Sequence, residues 1–158
     1  MPLIPDSAVV EKRLGDLPLA TYQAGENVLT AGSRTGQLLI LKKGAVAIVK
    51  ENIEIAKVAE PGAVFGELST LLDRPHSADV RALETSEFHV TDAAALLVQD
   101  PLVLLYVTVV LARRLDAANE ALIELKSQVQ KDQPGSEGIG EAIEKMEGLL
   151  YGYFRLFK

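Results

Sequence analysis

Pro61-Gly-Ala-Val-Phe-Gly-Glu-Leu-Ser-Thr-Leu-Leu-Asp-Arg-Pro-His-Ser-Ala-Asp-Val-Arg81 is the stretch whose reading decides the fold. Glycines, a carboxylate, a short apolar run and a polar turn follow one another closely. Gly62 and Gly66 let the backbone turn, or approach a partner, where a Cβ would clash. Phe65 and the run Leu68, Leu71, Leu72 are expected to anchor one helical turn from beneath. Glu67 begins that turn, near unpaired N–H groups that attract negative charge. Pro75 forces an extended exit, and Ser77-Ala78 offers small side chains and backbone donors. Two readings stand at this point: a pocket for a small anion with an attached sugar, and a capped turn between two strands.

Upstream, short strands alternate with turns. Ser7 caps a first short helix that Gly15 ends. Strands are expected at 17–22, around Val28-Leu29, at 37–42, at 45–50 and at 53–58, with turns at 25–27, 31–36 and Lys43-Gly44. Ile53-Glu-Ile-Ala-Lys-Val58 alternates as a half-buried strand does. Residues 79–83 and 86–90 complete the set. Strands this short, at this spacing, predict an antiparallel roll or jelly-roll barrel, and the whole chain an α+β fold with flanking helices.

Downstream the pattern becomes helical. Residues 92–99 read as a short helix capped near Thr91 or Asp92. Pro101 suits the first turn of a long one, running to Asp132 without Gly or Pro. Leu104, Thr108, Leu111, Leu115, Ala118, Leu122, Leu125 and Val129 repeat at the spacing of a coiled-coil seam. At 1.5 Å per residue this helix is roughly 45 Å long. Its seam calls for a partner, and a second copy is the simplest, so a homodimer through 101–132 is expected. The first half, Leu102 to Leu111, suits packing on its own domain. Residues 133–140 read as a linker. A final helix, 141–158, carries Ile143, Met146, Leu149, Leu150, Tyr153, Phe154 and Phe157. That face is expected to fold back on the domain or its partner subunit, or to dock another protein.

Composition excludes several classes. At 158 residues, 48% of them hydrophobic, the chain can build one core plus an appendage. A net charge of -6 argues against affinity won by neutralising nucleic-acid phosphates. The absence of cysteine rules out disulfides, thiol catalysis and cysteine zinc sites. The N-terminus lacks signal-peptide character, and the apolar run 101–112 is shorter than the roughly 20 residues a span needs. A soluble cytoplasmic protein with no cofactor is the expectation. Metal enzymes of the cupin type need three or four ligands, mostly histidine; this chain offers His76 and His89, the second expected as a filler. No nucleophile–base pair stands out, so an enzyme is not expected.

Phe65-Gly66-Glu67, then Pro75-His76-Ser77-Ala78 and Val80, followed by a long helix with Leu111-Ala-Arg-Arg-Leu115, resemble the cyclic nucleotide-binding domain over roughly residues 15–130. That family's phosphate-binding cassette reads Phe-Gly-Glu and, some nine residues on, Pro-Arg-Ser/Thr-Ala. The resemblance implies a sensor of cAMP or cGMP. Glu67 would accept from the ribose hydroxyl; Gly66, Leu68, Ser77 and Ala78 would hold ribose and cyclic phosphate. Ala118 and Asn119 stand where the family contacts the base, and Asn119 alone has the polar group.

His76 departs from the pattern by replacing the phosphate-binding arginine. Arginine offers a planar fork and permanent charge; histidine is neutral over much of the physiological range. Losing a hydrogen bond to a charged group costs roughly 1.5–3 kcal/mol. Arg74 is either a substitute or a solvated turn residue. Two functional readings follow: a nucleotide sensor, weakened at His76, that acts through an effector protein; or a ligand-free version of the fold serving as a dimerising interaction module. The segment after Asp132 has no recognition-helix pattern or basic patch, so direct DNA binding is not expected. The output is expected as a change of helix position or dimer geometry passed to a partner.

Overall fold

The computed structural model describes residues 3–131 and 139–141. The expected linker at 133–140 and final helix at 141–158 therefore lie, apart from residues 139–141, outside the described residues. The elements are α1 (Ser7–Gly15), β1 (Leu19–Tyr22), β2 (Asn27–Leu29), β3 (Gln37–Lys43), β4 (Val46–Lys50), β5 (Ile53–Val58), β6 (Val64–Phe65), α2 (Glu67–Leu71), β7 (Asp79–Ala82), β8 (Ser86–Asp92), α3 (Ala93–Gln99) and α4 (Pro101–Lys131). The chain divides into two compact units, Met1–Val110 and Leu111–Lys158.

The strands of the first unit form two antiparallel four-stranded sheets, ordered β1-β8-β3-β6 and β2-β7-β4-β5. Each sheet ends in free edges, so the architecture is a pair of open sheets and not the closed barrel expected from strand spacing. Both sheets send residues into one core: Leu39, Leu41, Phe65 and Phe88 from the first, Val28, Leu29, Val46, Val80 and Ala82 from the second. Phe88 meets the edges of Tyr22 and Phe65 at centroid distances of 5.7 and 6.0 Å, the geometry that aromatic quadrupoles favour. The unbroken run Leu38-Leu-Ile-Leu41 is buried on both faces of β3, as an apolar run without alternation requires.

Three local expectations are corrected. The cap of α1 is Asp6, whose Oδ1 accepts from the Ala8 amide at 2.9 Å, and not Ser7. Asp6 has the extended backbone of an N-cap, φ -60° and ψ 125°, whereas Ser7 is already the first helical residue. β5 is not half-buried: Ile53 and Ile55 are 64% and 58% exposed. It is the outer strand of its sheet and bulges against β4 between Ile48 and Val49, and of its residues only Val58 packs against the core. The leucines of α2 do not anchor it from beneath. Leu68, Leu71 and Leu72 face solvent, while Glu67 and Ser69 are buried.

Helix α3 begins after Asp92, whose side chain accepts from Ala95 at 2.7 Å. In α4, the Val103 and Val107 side chains are buried in the first unit. The seam residues Leu104 and Thr108 beside them are exposed. In the second unit Leu115 and Leu125 are exposed and Leu122 is buried. Among the described residues no single helix is long and apolar enough to cross a membrane; α3 and α4 pass that test only as a pair bent by 109°.

Candidate functional site

Gly66 ends β6 in a left-handed conformation, φ 89°, and serves as the N-cap of α2. A Cβ there would run into the Gln37 carbonyl, and backbone cannot yield. This turn aims the five-residue helix α2 so that its first side chain, Glu67, points inward with 2% of its surface exposed. A carboxylate is buried this deeply only where other groups offset the loss of its hydration.

The chain leaving α2 is pinned from both sides. Arg74 N–H donates to the Ser69 carbonyl at 3.0 Å, and the Ser69 hydroxyl donates to the Arg74 carbonyl. The Arg34 guanidinium reaches across to the Asp73 carboxylate at 3.0 Å and the Asp73 carbonyl at 3.1 Å. His76 pairs its backbone with the 31–36 loop: its N–H donates to Ser33 at 2.9 Å and its carbonyl accepts from Gly32 at 2.8 Å. Asp79 accepts from the Ala31 amide at 2.7 Å. Two loops distant in sequence are thus zipped into one wall.

The His76 side chain is 7% exposed, with Nε2 3.0 Å from the Thr35 hydroxyl. Burial pushes its pKa below the usual histidine value, because an imidazolium loses more hydration than a neutral ring. At neutral pH the ring is therefore uncharged and already engaged with a hydroxyl. Arg74 and Arg81 are exposed; Arg81 contacts Asn27 at 3.3 Å and Asp79 at 4.0 Å.

Gly66, Glu67, Leu68, His76, Ser77 and Ala78 are carried together by this turn-helix-turn. Glu67 and His76 are buried, Ala78 is half-buried, and Leu68 and Ser77 are exposed. Asn119 belongs to the second unit; it is half-buried, and its Oδ1 is buried without a hydrogen-bond partner. Sequence reasoning missed Thr35, Ser33 and Arg34, which it treated only as a turn. Their partners are some 40 residues away, for Thr35 and His76 a separation of 41, and no local pattern announces them. His89, expected as a filler, is half-buried with an unpartnered Nδ1. Among the described residues no cluster of His, Asp or Glu could hold a metal ion.

Known proteins share the fold that carries these residues. The family model of the cyclic nucleotide-binding domain matches residues 19–98. The catabolite activator protein of Thermus thermophilus is similar at 26% identity over 77% of this chain, with a TM-score of 0.62. The chain spans 60% of that protein's length. A cyclic nucleotide-binding domain from Methylobacillus flagellatus shares the fold at a TM-score of 0.64, with 24% identity, 76% of this chain and 74% of that one covered. A structure described under a cyclic-GMP-dependent signalling pathway regulating bacterial phytopathogenesis shares it at 0.58, with 21% identity, covering 72% and 96%. A search of curated proteins gives no match. With the family model covering half of the chain, and the left-handed Gly66, the buried Glu67 and the two open sheets in place, this chain belongs to the cyclic nucleotide-binding domain family.

Proposed function

We propose that this protein is a cyclic-nucleotide sensor, for cAMP or cGMP, that works as a homodimer through α4 and signals through an effector protein. Domains of this family are regulatory modules, and the observation that carries the reading is Glu67. It is a carboxylate with 2% exposure, placed at the head of α2 by a turn only glycine tolerates. In that position it is suited to accept from a ribose hydroxyl, while the amides of Gly66 and Leu68 and the Ser77-Ala78 turn offer donors to a cyclic phosphate. The exposed leucines of α2 and the exposed seam residues of α4 supply apolar surface for a second copy and an effector.

The neutral His76 makes the site a weak one for phosphate, and its bond to Thr35 favours a second reading: a domain that keeps the fold, binds no nucleotide and serves as a dimerising module. Titration calorimetry with cAMP and cGMP separates the two. Heat that disappears in Glu67→Gln supports the sensor; no heat up to about 1 mM of either nucleotide supports the module.

A further inference from the structure

β5 is the outer strand of its sheet, so one row of its backbone N–H and C=O groups meets no neighbouring strand. It holds no glycine or proline, and its two charges, Glu54 and Lys57, cancel. Of the four edge strands, β1, β2, β5 and β6, it alone carries two large apolar side chains more than half exposed, Ile53 and Ile55. A strand of this composition at an open edge is a template for another strand.

The bulge decides which strand fits. Ile48 pairs with Ala56 but Val49 with Glu54, so Ile55 is the extra residue. In a regular strand, residues 54 and 57 would point to opposite faces. With one residue added between them they share a face, and the Lys57 ammonium lies 3.6 Å from the Glu54 carboxylate. Ile53 and Val58 share the other face, because their partners Lys50 and Val46 lie on one side of β4.

We propose that β5 is a self-association edge, to which a second copy of this chain adds its own β5 in antiparallel register. Two copies about a two-fold axis must set residues of one face opposite each other. With Ile53 opposite the partner's Val58, Glu54 falls opposite the partner's Lys57, and the axis repeats both pairs. Ile55 meets the partner's Ala56 beside the axis. Every charge in the strand then faces its opposite, and every apolar side chain an apolar one. A shift by one residue sets Glu54 opposite Ala56 or Val58 instead. Glu51 and Glu60, just beyond the strand's ends, face each other in this register and keep the contact weak. The contact lies in the first unit and uses neither the cassette nor α4, so it rests on neither the nucleotide reading nor the α4 dimer.

Sedimentation velocity on the full chain in low salt tests this. Two six-residue strands fall short of the roughly 1,200 Å² that stable interfaces bury, so the step should appear only between about 0.1 and 1 mM. Glu54→Lys and Lys57→Glu should each weaken it about tenfold, since like charges then meet at both pairs. The chain carrying both substitutions should regain it. Both side chains are largely exposed, so neither change opens the core, and circular dichroism checks the fold. Leu115→Asp with Leu125→Asp should leave this high-concentration step intact; its loss there would assign it to α4 and overturn the proposal. Single reversals that associate as tightly as the unaltered chain, or a double variant that fails to recover, would overturn the register. A chain that shows no such step up to about 1 mM would overturn the second copy as occupant, the result expected if the edge stays bare or receives a different protein.

Discussion

His76 Nε2 stands 3.0 Å from the Thr35 hydroxyl, joining the turn after α2 to the loop before β3. The contact satisfies a buried imidazole without charging it.

Replacing His76 by Arg restores a permanent charge and a two-pronged donor. If the pocket is otherwise intact, affinity for cAMP or cGMP rises at least about tenfold, the worth of one charge-assisted hydrogen bond. Calorimetry on the folded variant reads the gain. An unchanged heat would mean that position 76 does not face the phosphate.

Stability should fall in mild acid. Burial lowers the folded-state pKa of His76 and, together with the Lys42 charge, that of His89, opposed in part by a hydrogen bond to the Leu17 backbone. Both rings are neutral in either state well above about pH 6.5, so this stability is then fully present. As pH drops through about 6.5 the unfolded chain takes up protons that the folded one refuses, and stability declines toward the depressed folded values. The melting temperature should be lower at about pH 5.5 than at about pH 7.5, and His76→Gln should shrink the difference. Nucleotide affinity has the opposite sign. An anion beside His76 favours the imidazolium, so binding tightens as pH falls toward the depressed value. Arg34 is paired to Asp73, and Asp79 is bonded to Ala31, on the same two loops; equal affinity at both pH values would remove His76 from the binding step.

Gly66→Ala should cost about 2 kcal/mol or more. It adds a left-handed residue with a Cβ and drives that atom into the Gln37 carbonyl. Denaturant unfolding measures the loss, and Gly25→Ala, at φ 88° with open space around it, separates strain from collision.

Tyr106 and Gly62 form a second lock. The phenol donates to the Gly62 carbonyl, and a Cβ on Gly62, at φ 93°, would lie 2.6 Å from the phenol oxygen. Tyr106→Phe should cost about 0.5–1.5 kcal/mol. Gly62→Ala should cost more, and the double variant should be more stable than the two losses summed, because the phenylalanine relieves the collision. Strict additivity in the cycle would count against the contact.

Leu115→Asp with Leu125→Asp should give monomers in sedimentation if α4 is the dimer interface. Both side chains are exposed, 47% and 38%, so the pair tests association without opening a core. Leu122 is already buried at 5% and its substitution would confound the two. Dimers that persist would place the interface elsewhere.

Much of this molecule was legible from local pattern. The cassette could be read because each of its parts is short-range: glycine where the backbone turns left-handed, a carboxylate at a helix head, proline at the exit. The strands from β1 to β5, β7, β8 and the helices α3 and α4 were legible from period and punctuation. β6 was not, because two residues, Val64 and Phe65, are too few to show a period. The exposure of β5 was hidden for another reason: Ile53 and Ile55 alternate correctly, but whether a face meets a second layer depends on the strand's place in its sheet.

Residue order by itself determined most of the elements and the family, since these rest on backbone stereochemistry and on chemistry a few residues apart. Only the tertiary structure decided that the sheets stay open, that the leucines of α2 face outward while Glu67 goes in, and that His76 finds Thr35. Those outcomes depend on which distant segments share a wall, and contacts across 41 residues leave no period in the chain that makes them.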